Sequence, residues 1–274
     1  MKKKLFLSLY LCIALCIFAK AQMLPAMIND LDGFTNIRSG RGVNFDGVGQ
    51  INSDEFFYCD SSCNGWWSVH VLKTDNEQRL KQLKGYVHSS RVHLLKDLPD
   101  SAQKNLILTI LSTFKKLNER QTALFRKYDH VSNKWKSPID SLAYKTLYPK
   151  SWNYSDMKYD YMLNILPSYF CRTQDTVVLQ LFLATIWANS GSASEAPSYA
   201  IGDCFKCQPD LVVAQISKYK SKEKRNFFYD HIEFGLGDVF YVDESGKSKD
   251  KDYYRLKKKL EGGRRYKPVQ NKKQ

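Results

Sequence analysis

The chain has 274 residues, a hydrophobic fraction of 43% and an aromatic fraction of 14%, which excludes an intrinsically disordered protein and allows one large or two small domains. Its formal net charge of +14 is concentrated at the two ends, with four lysines in residues 1–21 and a net +7 in residues 257–274. The body between these ends carries only +3, so the basicity does not describe the folded domains.

Residues 1–21 have the pattern of a cleaved signal peptide. A basic start is followed by an apolar run from 5 to 18, which is too short to span a bilayer comfortably. Ala19-Lys20-Ala21 satisfies the small-x-small rule for cleavage, so we expect Gln22 to begin the mature chain. An uncleaved anchor is the alternative. The sequence therefore predicts export, to the periplasm or beyond the cell, where a nucleic-acid partner is not expected.

After a lead-in at residues 22–29, residues 30–95 consist of short β-type runs separated by Gly, Asn and Asp. This pattern is typical of a small all-β barrel. In the run that starts at Trp66, apolar residues occupy the odd positions 67 to 71, which predicts that they face a core. Trp66 then faces away from the core, where an exposed aromatic side chain more readily marks a ligand surface.

Three motifs in this segment resemble those of a bacterial SH3-like domain. The opening turn reads D-G-F-T-N-I-R-S-G-R-G from Asp32, a Trp66-Trp67 pair follows, and the closing motif reads G-Y-V-H-S-S-R from Gly85. The resemblance covers about a quarter of the chain and implies an SH3-like barrel that acts as a binding module. Residues 74–84 depart from the family pattern, because a polar, charged insertion replaces a tight turn, and we expect a longer hairpin there.

The family-like motifs contain five candidate ligand-binding residues: Arg38, Trp66, Tyr86, His88 and Arg91. Flat aromatic faces provide contact area and arginine pairs with carboxylates. These residues therefore suit a shallow groove for a cell-wall peptide or glycopeptide, or for a protein partner in the cell envelope. The alternative is that Tyr86 and Arg91 only brace the end of the barrel.

Residues 99–243 have helical patterning and predict a mostly α-helical domain built from α/α hairpins. Apolar residues from 106 to 117 recur at offsets of 3 and 4, after a capping box formed by Asp100 and Gln103. Residues 177–187 are apolar on nearly all sides, which predicts the central buried helix of this domain.

Breakers, caps and charge predict the remaining boundaries. Pro149 is expected to interrupt regular structure, and Thr173 is expected to cap the central helix. Residues 244–274 are predicted to form a charged, basic tail, with a last helix from Tyr253 to Leu260 and disorder from Gly262 onward. The tail either contacts an anionic surface, such as lipid head groups or cell-wall polymers, or is simply solvated.

An exported chain lies in a disulfide-permissive compartment, and five cysteines remain after cleavage. Cys59 and Cys63 flank the expected tip of a hairpin and are candidates for a bridge, and so are Cys204 and Cys207. The state of Cys171 stays open, and one cysteine is left over under any pairing. A single C-x-x-C knuckle does not make a four-thiolate zinc site, so we expect no metal and no cofactor.

The sequence offers no catalytic constellation, so we expect no catalytic residue. Cys204 with His231 is the nearest candidate, a cysteine-peptidase pair, but Pro209 follows closely and His231 lies within a helical pattern. The predicted fold class is α+β with two domains, a small SH3-like β-barrel followed by a mostly α-helical domain. The predicted function is an exported, non-enzymatic binding protein. The alternative is a cell-wall peptidase or hydrolase that uses the barrel as a targeting module.

Overall fold

The structure is a computed structural model that describes residues 23–61, 65–189, 195–243, 245 and 247–265. Its fold is α+β, as predicted, with the strands of one large sheet followed by a series of helices. The described residues divide into two compact units, one within residues 23–73 and 81–94 and the other within residues 74–80 and 95–265. The predicted signal peptide, residues 1–21, lies outside the described residues.

In the described part of the first unit, seven strands form one antiparallel sheet that curls into a half-barrel. The strands are β1 (Met23–Ile28), β2 (Phe34–Arg38), β3 (Gly47–Asn52), β4 (Phe56–Asp60), β5 (Trp66–Thr74), β6 (Leu80–His88) and β7 (Val92–Leu94). Their order in the sheet is β3-β2-β6-β5-β4-β1-β7. Strand β6 therefore lies between β2 and β5. A one-turn 3-10 helix at Ser89–Arg91 separates β6 from β7 along the chain.

One face of this sheet forms the core of the first unit. Val69 and Val71 of β5 are fully buried and Trp67 packs against the same cluster. Trp66, one residue earlier, lies half-buried on the opposite face. The predicted alternation along this strand is confirmed. Other strands complete the core with Ala26, Ile37, Ile51, Phe57, Cys59 and Val87.

The expected lead-in, residues 22–29, is part of the sheet, because it contains β1. This strand pairs with β4 on one side and with β7 on the other. Pro25 is tolerated because pairing with β7 begins only at Ala26, so a residue without an N–H group lies where β1 has one partner. Ala26 and Ile28 then enter the core.

The charged insertion at residues 74–84 extends the hairpin that joins β5 to β6. Each of these two strands has nine residues. Asp75 organises the turn between them, since its Oδ1 accepts hydrogen bonds from the backbone N–H of Glu77 and Arg79 at 2.9 Å each. The expected longer hairpin is therefore present.

The second unit is helical. Its described α-helices are α1 (Asp100–Phe125), α2 (Pro138–Tyr154), α3 (Asp160–Leu163), α4 (Leu166–Thr173), α5 (Thr176–Ala188), α6 (Ala196–Cys207), α7 (Pro209–Ser217), α8 (Lys222–Val239) and α9 (Lys251–Arg265). A small hairpin of β8 (Tyr128–Asp129) and β9 (Lys134–Trp135) precedes α2, and a π-helical turn at Ser155–Tyr159 follows it. Among the described residues, none of these helices combines the length and apolarity needed to cross a membrane.

Helix α5 is the buried helix that the sequence predicts. Leu179, Phe182 and Leu183 are fully buried in it. Its cap differs from the prediction, because the side chain of Asp175, not Thr173, accepts hydrogen bonds from the first free N–H groups of the helix. Asp175 also forms an ion pair with Lys104 at 2.7 Å. A carboxylate suits this position better than a hydroxyl because it also complements the helix dipole.

Two other predicted boundaries are wrong. Asp100 and Gln103 do not form a capping box at the start of α1; the Gln103 side chain instead donates to the carbonyl oxygens of Lys96 and Leu98 at 2.8 Å each. Pro149 does not interrupt the chain, because it lies inside α2. Packing of the buried neighbours Leu147 and Ser151 offsets the hydrogen bond that the proline removes.

A disulfide bond joins Cys171 in α4 to Cys207 at the end of α6. The two residues are 36 apart in sequence, and closing a loop of that length stabilises the folded chain by about 3–4 kcal/mol in the chain-entropy model. The predicted alternative of a Cys204–Cys207 bridge is therefore wrong. Cys204 is a free thiol that is fully buried, whereas Cys207 lies at the exposed end of the same helix.

Cys59 is also a free thiol. It lies in the core of the first unit, opposite Val69, and burial, together with the charge of Asp60, raises the pKa of its thiol to about 12. Cys63, its predicted disulfide partner, lies outside the described residues.

The predicted last helix is present as α9, and it continues to Arg265, past Gly262, where we expected disorder. Tyr253, Leu256 and Leu260 of α9 are buried, at helical offsets of 3 and 4. Ion pairs on the outside of the helix join Lys259 to Asp210 at 2.6 Å and Arg264 to Asp230 at 2.7 Å. Residues 251–265 therefore belong to the helical unit, and the rest of the tail lies outside the described residues.

Helices α6 and α8 cross closely at a pair of glycines. A Cβ atom on Gly235 of α8 would overlap the carbonyl oxygen of Ser198 and would lie 3.3 Å from the Cα of Gly202 in α6. Close to this crossing, the Ser198 hydroxyl and Nδ1 of His231 form a hydrogen bond of 2.6 Å. Glycine is required here because the two backbones touch.

We expect Gly235→Ala to lower the free energy of unfolding by about 1–3 kcal/mol, because the new methyl group forces the helices apart. Gly237→Ala is the matched control in the same helix, since its added Cβ has nothing within 4 Å and alanine favours helix over glycine by about 1 kcal/mol. Urea unfolding of both variants measures the difference. Equal effects of the two substitutions would contradict the close crossing.

Candidate functional site

Strands β2 and β6 meet at one registered pair, Arg38 and Tyr86, which lie directly opposite each other. Opposed residues in an antiparallel pair place their side chains on the same face of the sheet. That face points away from the core, because the neighbouring residues Ile37 and Val87 are buried in the core. Two predicted site residues are therefore brought together on the outer face.

Trp66 and His88 continue the same face onto β5. His88 lies two residues after Tyr86 on β6 and so shares its side of the sheet. The ring centroids of Trp66 and His88 are 5.4 Å apart, with the planes at 81°, which is an edge-to-face contact. Four of the five predicted site residues therefore line one face of three adjacent strands.

The loop between β2 and β3 adds an arginine that the sequence reasoning did not select. The guanidinium carbon of Arg41 lies 5.4 Å from the centroid of the Tyr86 ring, a cation–π contact. Arg38 Nη1 donates a hydrogen bond of 2.8 Å to the carbonyl oxygen of Phe45, which ties the loop to the strand. Arg41 could have been selected from the sequence, because this residue lies inside the opening motif. We call the group Arg38, Arg41, Trp66, Tyr86 and His88 the outer strip.

Further polar groups surround the outer strip. Lys84 lies two residues before Tyr86 on β6 and shares its face. The pKa of His70, on β5, is lowered first by burial and then by the charge of Lys84, so His70 is neutral at pH 7. Asp60 lies at the end of β4 opposite Ser68. The positive charge is thus concentrated where β2 and β6 meet.

His88 has a structural role besides its place in the outer strip. Its Nδ1 atom accepts a hydrogen bond from the backbone N–H of Ser90 and lies 2.8 Å from the Ser90 hydroxyl, so it caps the 3-10 helix. A ring nitrogen that accepts a hydrogen bond carries no proton, so the ring N–H of His88 is on Nε2. The exposed His88 ring therefore keeps one N–H donor.

Arg91, the fifth predicted residue, is engaged elsewhere. Its Nη1 atom forms an ion pair with Asp30 Oδ1 at 2.6 Å, and the Asp30 side chain is only 6% exposed. The Arg91 carbonyl oxygen also accepts a hydrogen bond from the backbone N–H of Asn29 at 2.9 Å. These contacts favour the bracing role for Arg91, because removing it would leave a nearly buried carboxylate without its counter-charge.

The candidate cysteine-peptidase pair is not assembled. Cys204 is fully buried, and burial raises the pKa of its thiol well above the usual range, whereas a nucleophilic cysteine needs a lowered pKa. His231 bonds to Ser198 through Nδ1, and its pKa is lowered by burial. Within the described residues, no group of three or more His, Cys, Asp and Glu side chains is placed to hold a metal ion.

Comparison of the chain with protein-family models, curated proteins and solved structures yields no significant match in any of the three.

Among the described acids of the helical unit, Asp160 has a strongly raised pKa. Asp160 follows the π-helical turn, and its Oδ1 atom is buried without a hydrogen-bond partner. Burial, and secondarily the charge of Asp156, raises the pKa of Asp160 to about 6. An unfolded aspartate titrates near pH 3.9. Folding therefore favours the protonated form, and the folded state loses stability as the pH rises through 6.

We expect Asp160→Asn to raise the free energy of unfolding at pH 7.5 by about 1–3 kcal/mol, because a pKa displaced by about two units corresponds to that range. At pH 3, below both pKa values, the acid is mostly protonated in both states, and the variant should nearly match the wild type. Asp252→Asn, at an exposed side chain, serves as the control. Thermal unfolding at the two pH values measures both, and a gain that is the same at each pH would rule out titration of Asp160 as the cause.

Proposed function

We propose that the protein is an exported binding protein whose first unit is an SH3-like barrel that recognises a carboxylate-bearing peptide or glycopeptide of the cell envelope. The helical unit serves as an interaction domain. The observation that carries the proposal is the outer strip, which joins residues of three separate motifs into one aromatic and cationic surface.

The chemistry of the outer strip suits such a ligand. Arg38 donates one hydrogen bond to the Phe45 carbonyl oxygen. Because a guanidinium has five N–H donors, this contact uses only one of them. Arg41 is exposed and lies over the Tyr86 ring. Arginine binds carboxylates through paired hydrogen bonds, and the flat rings of Trp66 and Tyr86 provide apolar contact for a peptide or sugar. A shallow surface of this kind recognises a chain segment and does not enclose a small molecule.

Two further features support the cellular setting of this proposal. The sequence of residues 1–21 has the order of basic, apolar and small-residue segments that directs export. The Cys171–Cys207 bridge is of the kind that persists in an oxidising compartment. The alternative of a cell-wall hydrolase rested on Cys204, whose burial and raised pKa disfavour a nucleophilic role.

The test is binding of the mature chain to purified peptidoglycan and to soluble muropeptides. We expect Arg41→Ala and Trp66→Ala each to weaken binding by about tenfold, the loss typical of a charge-assisted hydrogen bond or an aromatic contact. Arg79→Ala is the matched control, because Arg79 is exposed and pairs with Asp75 and Glu77 at the hairpin tip. Circular dichroism checks that the variants are folded.

Wild-type chain that fails to bind either ligand would overturn the proposed partner. Binding that survives both substitutions in the outer strip would show that another surface carries it. Release of soluble muropeptides that disappears in Cys204→Ala would instead favour the hydrolase.

A further inference from the structure

A continuous chain of aromatic rings runs along one side of the helical unit. Six rings belong to it, and we call them the aromatic face: Phe125, Tyr128, Trp135, Tyr144, Tyr148 and Trp152. Consecutive ring centroids lie 4.9–6.1 Å apart, from the Phe125–Tyr128 contact at one end to the Tyr148–Trp152 contact at the other. These residues come from the end of α1, the β8–β9 hairpin and α2, so three elements form one surface.

Apolar side chains of this segment are open to solvent. Within the aromatic face, Trp152 is 49% exposed and Tyr148 is 40% exposed. Val131, at the tip of the β8–β9 hairpin, is 98% exposed. Rings that contact one another in an unbroken series and are open to solvent form an apolar surface of the kind that marks an interaction site.

Helix α2 carries half of the aromatic face. Leu147 and Ser151 are its buried positions. Tyr144, Tyr148 and Trp152 follow one another at intervals of four and therefore form one stripe along the helix. Ile139 and Leu142 are exposed as well, at 79% and 68%, but helical spacing places them on other sides of α2, outside the aromatic face.

The charge around the aromatic face selects an anionic partner. Residues 126–150 contain six Lys or Arg and two Asp. Both acids are already engaged, because Asp140 pairs with Lys127 at 2.7 Å and Asp129 accepts hydrogen bonds from Ser132 and the backbone N–H of Val131. Lys134, Lys136, Lys145 and Lys150 are exposed. A second copy of the chain would bring like charges together across a symmetric interface, which disfavours self-association.

We propose that the aromatic face docks peripherally on an anionic lipid bilayer. Exposed aliphatic groups enter the upper acyl region, tyrosine and tryptophan rings lie at the level of the head groups, and lysines bind the lipid phosphates. The composition favours a lipid surface over an acidic protein. Val131 on a hairpin tip and Trp152 on a helix project from separate elements, which suits a fluid surface better than one complementary groove.

The experiment is co-sedimentation of the full mature chain with sucrose-loaded vesicles. One vesicle preparation is phosphatidylcholine alone and the other is an equimolar mixture of phosphatidylcholine and phosphatidylglycerol. We expect partitioning to the anionic vesicles to exceed that to the neutral ones by at least about tenfold, since each lysine at the surface contributes roughly fivefold. The double variant Val131→Asp/Trp152→Asp should lose at least about tenfold in partitioning, because two apolar side chains are removed from the contact with the bilayer.

Val177→Asp is the matched control, because it makes the same substitution at a valine of α5 that is 56% exposed. Its partitioning should equal that of the wild type. Both substituted sites are exposed, so unfolding midpoints should stay unchanged. As a second measurement, brominated lipids should quench tryptophan fluorescence in the wild type and quench less in Trp152→Phe.

Three results would overturn the proposal: no partitioning of the wild type, equal partitioning to the two vesicle types, or undiminished partitioning of the double variant. Undiminished partitioning would assign any membrane contact to another basic region, such as α9. A wild-type dimer that becomes a monomer in the double variant, measured by light scattering without lipid, would identify the aromatic face as a contact between copies. The test is independent of the outer strip, whose residues lie in the other unit.

Discussion

The close approach of β2 and β6 at Gly85 determines the geometry of the outer strip. A Cβ atom on Gly85 would lie 2.5 Å from the carbonyl oxygen of Arg38 and 2.5 Å from Cγ2 of Ile37. Only a residue without a side chain allows the two strands to meet there. This contact places Tyr86 opposite Arg38 and leaves His88 on the same face, beside Trp66. The closing motif begins with this glycine, so the motif and the surface have one physical origin.

Most of the first unit could be predicted because its strands alternate between polar and apolar residues. Val69 and Val71 are buried as their positions indicated. Strand β1 was missed because residues 23–28 are almost uniformly apolar and contain Pro25, so neither alternation nor composition marked them. Their strand structure depends on partners distant in sequence, β4 and β7, and local patterns do not report such partners.

In the second unit, the periodicity of the sequence predicted which segments are helical, but it did not predict where each helix begins and ends. The segment with Tyr253, Leu256 and Leu260 at offsets of 3 and 4 was predicted as the last helix, but this helix ends at Arg265 and not at Leu260. The prediction for Pro149 was wrong because the sequence shows that a proline removes a helix hydrogen bond, but it does not show the tertiary packing that offsets this loss. The pairing of Cys171 with Cys207 also depends on the folded arrangement of α4 and α6, since connectivity cannot be deduced from spacing.

The outer strip and the aromatic face differ in the forces available to them. Residues of the outer strip are held by directed contacts, such as that of Arg38 with the Phe45 carbonyl, and their positive charge acts over about 10 Å before salt screens it. The aromatic face offers apolar area that salt does not screen, with Val131 almost fully exposed. A shallow polar surface binds its ligand weakly by itself. Anchoring the same chain through a second, chemically independent surface raises the effective concentration of that ligand. The two proposed surfaces would therefore act together where an anionic boundary and a carboxylate-bearing peptide occur side by side.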